Sequence, residues 1–133
     1  MKSFSIYHLT FIPGRNLDKF ELLNKCKKYG LRIIKLSQEI KEFKFYSLGE
    51  QIMRSGTSIG ANINEAQSAY SKKEFVMKIN IALKEARETK YWLELVTDSV
   101  PIKGNIIEQL IGETDEIIAI LFSIIRTTKR KYE

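Results

Sequence analysis

Among 133 residues there is one cysteine, Cys26, and one histidine, His8, so the side chains that carry most covalent and metal chemistry are nearly absent. A lone thiol excludes an intramolecular disulfide, and a reducing cytoplasm is the compartment that suits it. Zinc and iron centres draw on several His or Cys ligands, so no metal and no other cofactor is expected. Ser-His-Asp and Cys-His nucleophiles fail for the same reason, because no histidine falls in the helical part of the chain. The longest nearly pure apolar stretch, Ile117 to Ile125, is far shorter than the ~20 residues that span a bilayer, and acidic residues precede it. The amino end lacks the charged start, apolar middle and small-residue cleavage site of a signal peptide, so a soluble protein without membrane contact is expected.

What the chain does have is helical periodicity. Its 44% hydrophobic content suffices for one continuous core in one domain. Pro13-Gly14 interrupts any helix near the amino end, which predicts a non-helical arm over 1–16 and a bundle over 17–133. Leu22, Cys26, Tyr29, Ile33, Leu36, Ile40 and Phe43 recur at three and four residues and predict a first helix over about 17–43. Leu48, Ile52, Ser55, Ile59, Ile63 and Ala66 mark a second over about 48–69. Phe75, Ile79, Ala82, Ala86, Leu93 and Val96, widened by Met77, Ile81, Trp92 and Leu95, mark a third over about 72–97. Ser47 with Glu50, and Ser71 with Glu74, fit the Ser-x-x-Glu capping box at the two helix starts.

Pro101 and Gly104 then predict a connection, and Asn105 with Glu108 a cap for a fourth helix over about 106–128. That helix has two apolar faces. Ile107, Ile111, Ile118, Leu121 and Ile125 form one, Ile106, Leu110, Ile117, Ile120 and Ile124 the other, more than one bundle core needs, so burial against another subunit is expected. Four such helices with short connections give an all-α, up-down-up-down antiparallel four-helix bundle.

Gly56 and Gly60 lie one turn apart inside the second helix, where each costs about 1 kcal/mol relative to alanine. Close approach of a neighbouring helix is the expected compensation; a phosphate loop is the rival, weakened by the missing Walker pattern. Arg54, Glu65, Glu85 and Glu88 fall near the core stripes of adjacent helices, which predicts an interhelical ion-pair network, with Asn62 joining it. A di-iron carboxylate site would need Glu-x-x-His motifs, and the chain has none. Lys84 and Arg87 flank Glu85 and Glu88, so ion pairing rather than carboxylate catalysis is expected there, and the chain is read as no enzyme.

Cations give the better functional lead, since the net charge is +6 and residues 17 to 46 hold eight Lys or Arg against four Asp or Glu. Lys25, Lys28, Arg32 and Lys35 form a stripe away from the apolar face, with members roughly 5 Å apart, suited to a phosphate backbone. Intrahelical pairing with Glu21 and Glu39 is the competing use of that stripe. Arg126, Lys129, Arg130 and Lys131 form a second cluster at the end of the fourth helix, where the helix dipole also favours them. No aromatic-rich signature accompanies either cluster, so readout of base sequence is not expected.

The run Arg54-Ser55-Gly56-Thr57-Ser58-Ile59-Gly60-Ala61-Asn62-Ile63, then Glu65-Ala66, Ser71-Lys72-Lys73-Glu74-Phe75, Ile81-Ala82, Glu85-Ala86, Glu88-Thr89 and Trp92-Leu93, resembles the bacterial four-helix-bundle proteins encoded by intervening sequences in 23S ribosomal RNA genes. Asn64 and Ala66 stand where many relatives have alanine and glycine. The resemblance is strongest over residues 51 to 95, looser through the first and fourth helices, and absent over 1–16. It implies a closed bundle assembling as a homopentameric ring without established enzymatic activity. The accessory variability protein of diversity-generating retroelements is similar in fold and assembly, and its basic surface engages a reverse transcriptase and nucleic acid. Nothing in this chain identifies a retroelement. The expected function is a non-enzymatic oligomer that binds nucleic acid, RNA rather than DNA, through basic surfaces multiplied around a ring. A scaffold that engages a protein partner, without a direct nucleic-acid role, is the alternative.

Overall fold

The structure is a computed structural model that describes residues 17–132, with side chains described through 129. The predicted arm over 1–16, with His8, lies outside the described residues, as do the side chains of Arg130 and Lys131. Four helices follow in order: α1 (Lys19–Glu42), α2 (Tyr46–Ala66), α3 (Lys72–Ser99) and α4 (Ile106–Tyr132). They form the expected antiparallel bundle, with no β-strand among the described residues. The tightest packing is between consecutive helices, α1 on α2, α2 on α3 and α3 on α4. The α1–α4 seam is bridged by longer side chains, with Tyr29 Oη 2.7 Å from Thr114 Oγ1 in its buried part.

Helix starts differ from the expected ones in an informative way. The α1 start carries a complete capping box that was not foreseen: Glu21 N donates to Asp18 Oδ1 at 2.9 Å and Asp18 N to Glu21 Oε2 at 3.3 Å. At α3, Ser71 Oγ accepts from Glu74 N at 3.0 Å, but Glu74 reaches back to the Tyr70 amide at 2.9 Å instead of that of Ser71. Ser47 caps nothing. The α2 helix starts at Tyr46, so Ser47 falls inside its first turn, and Phe45 occupies the cap position without a side-chain bond. A short turn makes this possible, because Lys44 adopts φ +70° and reverses the chain directly after α1. Phe43 therefore ends α1 as an exposed residue rather than a core one.

The remaining predicted faces of α1 and α2 point inward, except that Leu48 is only half-buried. On α3, Met77 and Leu95 face outward, while Leu83 and Thr89 take core positions. The α4 helix has no free apolar face of the kind expected. Ile107, Leu110, Ile117, Ile120, Leu121 and Ile124 are all buried within the bundle, and Ile106, Ile111, Ile118 and Ile125 pack partly against the same core. The excess apolar surface is consumed by α4 contacting α3 and the seam with α1 together.

Gly56 and Gly60 of α2 both face α1 at close range. A Cβ on Gly56 would lie 2.6 Å from Ile33 Cγ2, and one on Gly60 would lie 3.3 Å from Cys26 Cβ. Two buried hydroxyls pair across the helices: Thr89 Oγ1 donates to Ser55 Oγ at 2.8 Å between α3 and α2, and Ser37 Oγ to the Gly49 carbonyl at 2.7 Å between α1 and α2, whereas Thr128 Oγ1 of α4 is buried without a partner among the described residues. These bonds offset the desolvation of hydroxyls in an otherwise apolar interior.

Candidate nucleic-acid interface

The basic stripe of α1 runs along the α1–α4 seam, and antiparallel packing sets the acidic half of α4 against it. Lys25 Nζ is 2.9 Å from Glu116 Oε1. Arg32 pairs with Glu113 through Nη1 and donates to Gln109 Oε1 at 3.3 Å through Nη2. Lys28 and Lys35 are exposed and have no partner among the described residues. The four cations are thus divided by position: two clamp α4 and two face solvent. Glu21 serves the α1 cap rather than pairing within the stripe. A cleft of about 310 Å³ opens on this seam between Lys28, Tyr29, Arg32 and Glu113, whose Oε2 is buried without a hydrogen-bond partner among the described residues.

The predicted network around Arg54 forms in part. Arg54 Nη1 is 3.2 Å from Glu85 Oε2, Nη2 pairs with Glu88, and Nε donates to Gln51 Oε1 at 3.2 Å. Trp92 Nε1 adds a bond to Glu88 Oε2 at 3.2 Å. Glu65 and Asn62 do not join. Glu65 sits near the end of α2 and takes Lys78 at 2.8 Å, while Asn62 Nδ2 donates back to the Ser58 carbonyl one turn earlier at 2.8 Å. The Lys78 ammonium is held above its usual range by the hydrogen bond to Glu65 and by its charge.

Because Arg54 claims Glu85 and Glu88, the expected pairing of these acids with Lys84 and Arg87 does not occur. Lys84 and Arg87 lie exposed on the far side of α3, without partners among the described residues. Arg126 and Lys129 of the predicted terminal cluster are likewise exposed and unpaired among the described residues. A cleft of about 360 Å³ between α3 and α4 brings Arg87 together with Arg126 and Lys129. Sequence spacing missed Arg87 because its distance from Arg126 along the chain is closed only by the antiparallel register.

Cys26 lies in the core, where burial pushes its thiol up to about 12 against a smaller opposing effect of Lys25. Tyr29 is also raised, chiefly by burial, with the Thr114 hydrogen bond opposing. A thiol held protonated in this way is a poor nucleophile and a poor metal ligand. No helix among the described residues is long and apolar enough to cross a membrane.

Residues 18–123 match the family model described as 23S rRNA-intervening sequence protein. The chain belongs to that family. The 23S rRNA-intervening sequence fold is also similar to a crystal structure titled a protein with unknown function from the S23 ribosomal protein family of Bacteroides thetaiotaomicron VPI-5482. Identity is 44%, the TM-score is 0.75, and the match covers 78% of this chain and 97% of that one. No curated protein matches the sequence. The family match ends before Arg126 and Lys129, so the basic end of α4 lies beyond the matched segment.

Proposed function

We propose that this protein is a non-enzymatic, oligomeric helical bundle that binds nucleic acid, RNA in preference to DNA, through basic surfaces repeated around a ring. The observation that carries the reading is the segregation of charge. Glu113 and Glu116 of α4 and Glu85 and Glu88 of α3 are drawn to Lys25, Arg32 and Arg54, which leaves Lys28 and Lys35 on α1 and Arg87, Arg126 and Lys129 on the α3–α4 side without acidic partners among the described residues. Exposed cations grouped on a rigid helical frame suit phosphate contacts, each of which adds salt-dependent affinity. The family's link to ribosomal RNA intervening sequences favours RNA as the polymer. The buried thiol of Cys26 and the arginine-bound carboxylates Glu85 and Glu88 support a binding rather than a catalytic role.

Assembly into a five-membered ring follows the family resemblance. An apolar groove of about 460 Å³ between α1 and α2 supports it, with Leu31 exposed above Gly60 and Ala61 and flanked by Leu23 and Ile34. The same groove favours the competing reading, a protein scaffold without nucleic-acid contacts. Fluorescence anisotropy of the full chain with a labelled single-stranded RNA decides between them. Measurable affinity at about 50 mM salt that falls steeply towards 200 mM is expected. Absence of binding at the lower salt leaves the scaffold.

A further inference from the structure

The α3–α4 face carries more than charge. Along the outer side of α3, Lys73, Met77, Asn80, Lys84, Arg87 and Tyr91 recur at three and four residues, and all are exposed. No acid interrupts that row, because Glu85 and Glu88 face Arg54 on the α2 side. Phe122 of α4 is 52% exposed and lines the α3–α4 cleft with Asn80, Leu83, Arg87, Arg126 and Lys129. Asp115, two turns before Phe122, is already held by Lys90 at 2.8 Å. The cleft therefore presents three cations, one amide and one aromatic face, with no carboxylate among its lining residues.

The geometry points to this cleft as a binding site for single-stranded nucleic acid, in which Arg87, Arg126 and Lys129 hold successive phosphates while a base stacks on Phe122. The inference rests on the nucleic-acid reading above and assigns it a polymer form and a place. Phosphate contacts alone do not need an exposed ring; a base face does, and stacking on an aromatic side chain is tolerant of sequence because every base has a π-face. Duplexes keep their bases stacked on each other and cannot offer one. Arg126 and Lys129 are about one turn apart on α4, so they reach adjacent phosphates of an extended strand, and Arg87 reaches the strand from across the cleft. Asn80 supplies an amide that can hydrogen-bond a base edge or a sugar hydroxyl.

The test uses the full chain and a labelled mixed-sequence oligonucleotide, presented as single-stranded RNA, as single-stranded DNA and as duplex RNA, in a salt series. Arg87→Gln, Arg126→Gln and Lys129→Gln combined should reduce the log-log salt slope for the tighter single strand by about 2, counting ~0.7 per phosphate. Phe122→Ala should weaken single-strand binding about tenfold with an unchanged slope and leave duplex binding as it was, while Phe122→Tyr restores the wild-type value. Circular dichroism melts and light scattering confirm that each variant keeps the fold and assembly of the wild type. Wild-type binding with an unchanged slope in the triple variant overturns the site while the broader function stands. A Phe122→Ala loss that is equal for duplex and single strand overturns the stacking contact. Failure of the wild type to bind any strand removes the site and the function together.

Discussion

A methyl group added at Gly56 would sit 2.6 Å from Ile33 Cγ2 and 3.0 Å from Cγ1, inside the contact distance of a β-branched side chain with no free rotamer to yield. Gly56→Ala should therefore destabilise the bundle by about 1–3 kcal/mol, although alanine is the better helix former. Gly112 of α4 is the counterpart, because a Cβ there meets nothing within 4 Å, so Gly112→Ala should stabilise by about 0.5–1 kcal/mol. Chemical denaturation of both variants checks the pair, and two changes of the same sign would contradict close packing at Gly56. Two glycines within a helix signalled a close approach from sequence alone; that the approaching group is Ile33 needed the α1–α2 register. Cys26 gives a second residue-level test. Its thiol titrates near 12 in the folded state against 9.0 for a free thiol, so the native state holds a proton that the unfolded chain releases. The Cys26 contribution is constant below pH 9, and stability should fall as pH rises from 9 towards 12 by up to about 1.4 kcal/mol per unit more steeply than in Cys26→Ala. Parallel pH profiles of the two proteins would contradict a buried, desolvated thiol.

At the scale of helices, the apolar periods of α1, α2 and α3 located the elements well, because a packed bundle demands a stripe on each. Their ends were less legible. Ser47 with Glu50 has the capping-box pattern, yet the Lys44 turn starts α2 early and makes Ser47 an interior residue, whereas Asp18 with Glu21 caps α1 fully. Asp18→Ala and Ser71→Ala should each cost about 1 kcal/mol, and Ser47→Ala less than about 0.5. Equal losses for Ser47 and Ser71 in thermal melts would refute that assignment. The α1 stripe shows what one helix cannot disclose. Lys25 and Arg32 are structural clamps on Glu116 and Glu113, so replacing them with Gln should mainly lower stability, while Lys28→Gln with Lys35→Gln should mainly flatten the salt slope of RNA binding, by about 1.4 for two phosphates on a single strand. The excess isoleucine of α4 misled in the other direction. It suggested a free face, but Ile117 and Ile124 are core residues, so Ile117→Glu or Ile124→Glu would unfold the bundle rather than report on assembly.

For the whole molecule, fold class and family were both legible, the first from periodicity and the second from the Arg54 to Leu93 motif; the α3–α4 basic cleft was not, because its cations come from helices distant in sequence. The same bundle thus combines an acid-neutralised α1–α4 seam, an apolar α1–α2 groove and an acid-free α3–α4 cleft on separate faces. Under the proposed function, that separation would let self-association and nucleic-acid contact proceed together, and ring repetition would multiply weak phosphate contacts. Sedimentation velocity of the full chain with and without labelled single-stranded RNA measures both properties at once. A single boundary at five times the 15.5 kDa chain mass, carrying RNA at about 50 mM salt and releasing it as salt is raised, is the expected result. A boundary at the mass of one chain, with RNA sedimenting freely even at low salt, would contradict an oligomeric nucleic-acid-binding bundle.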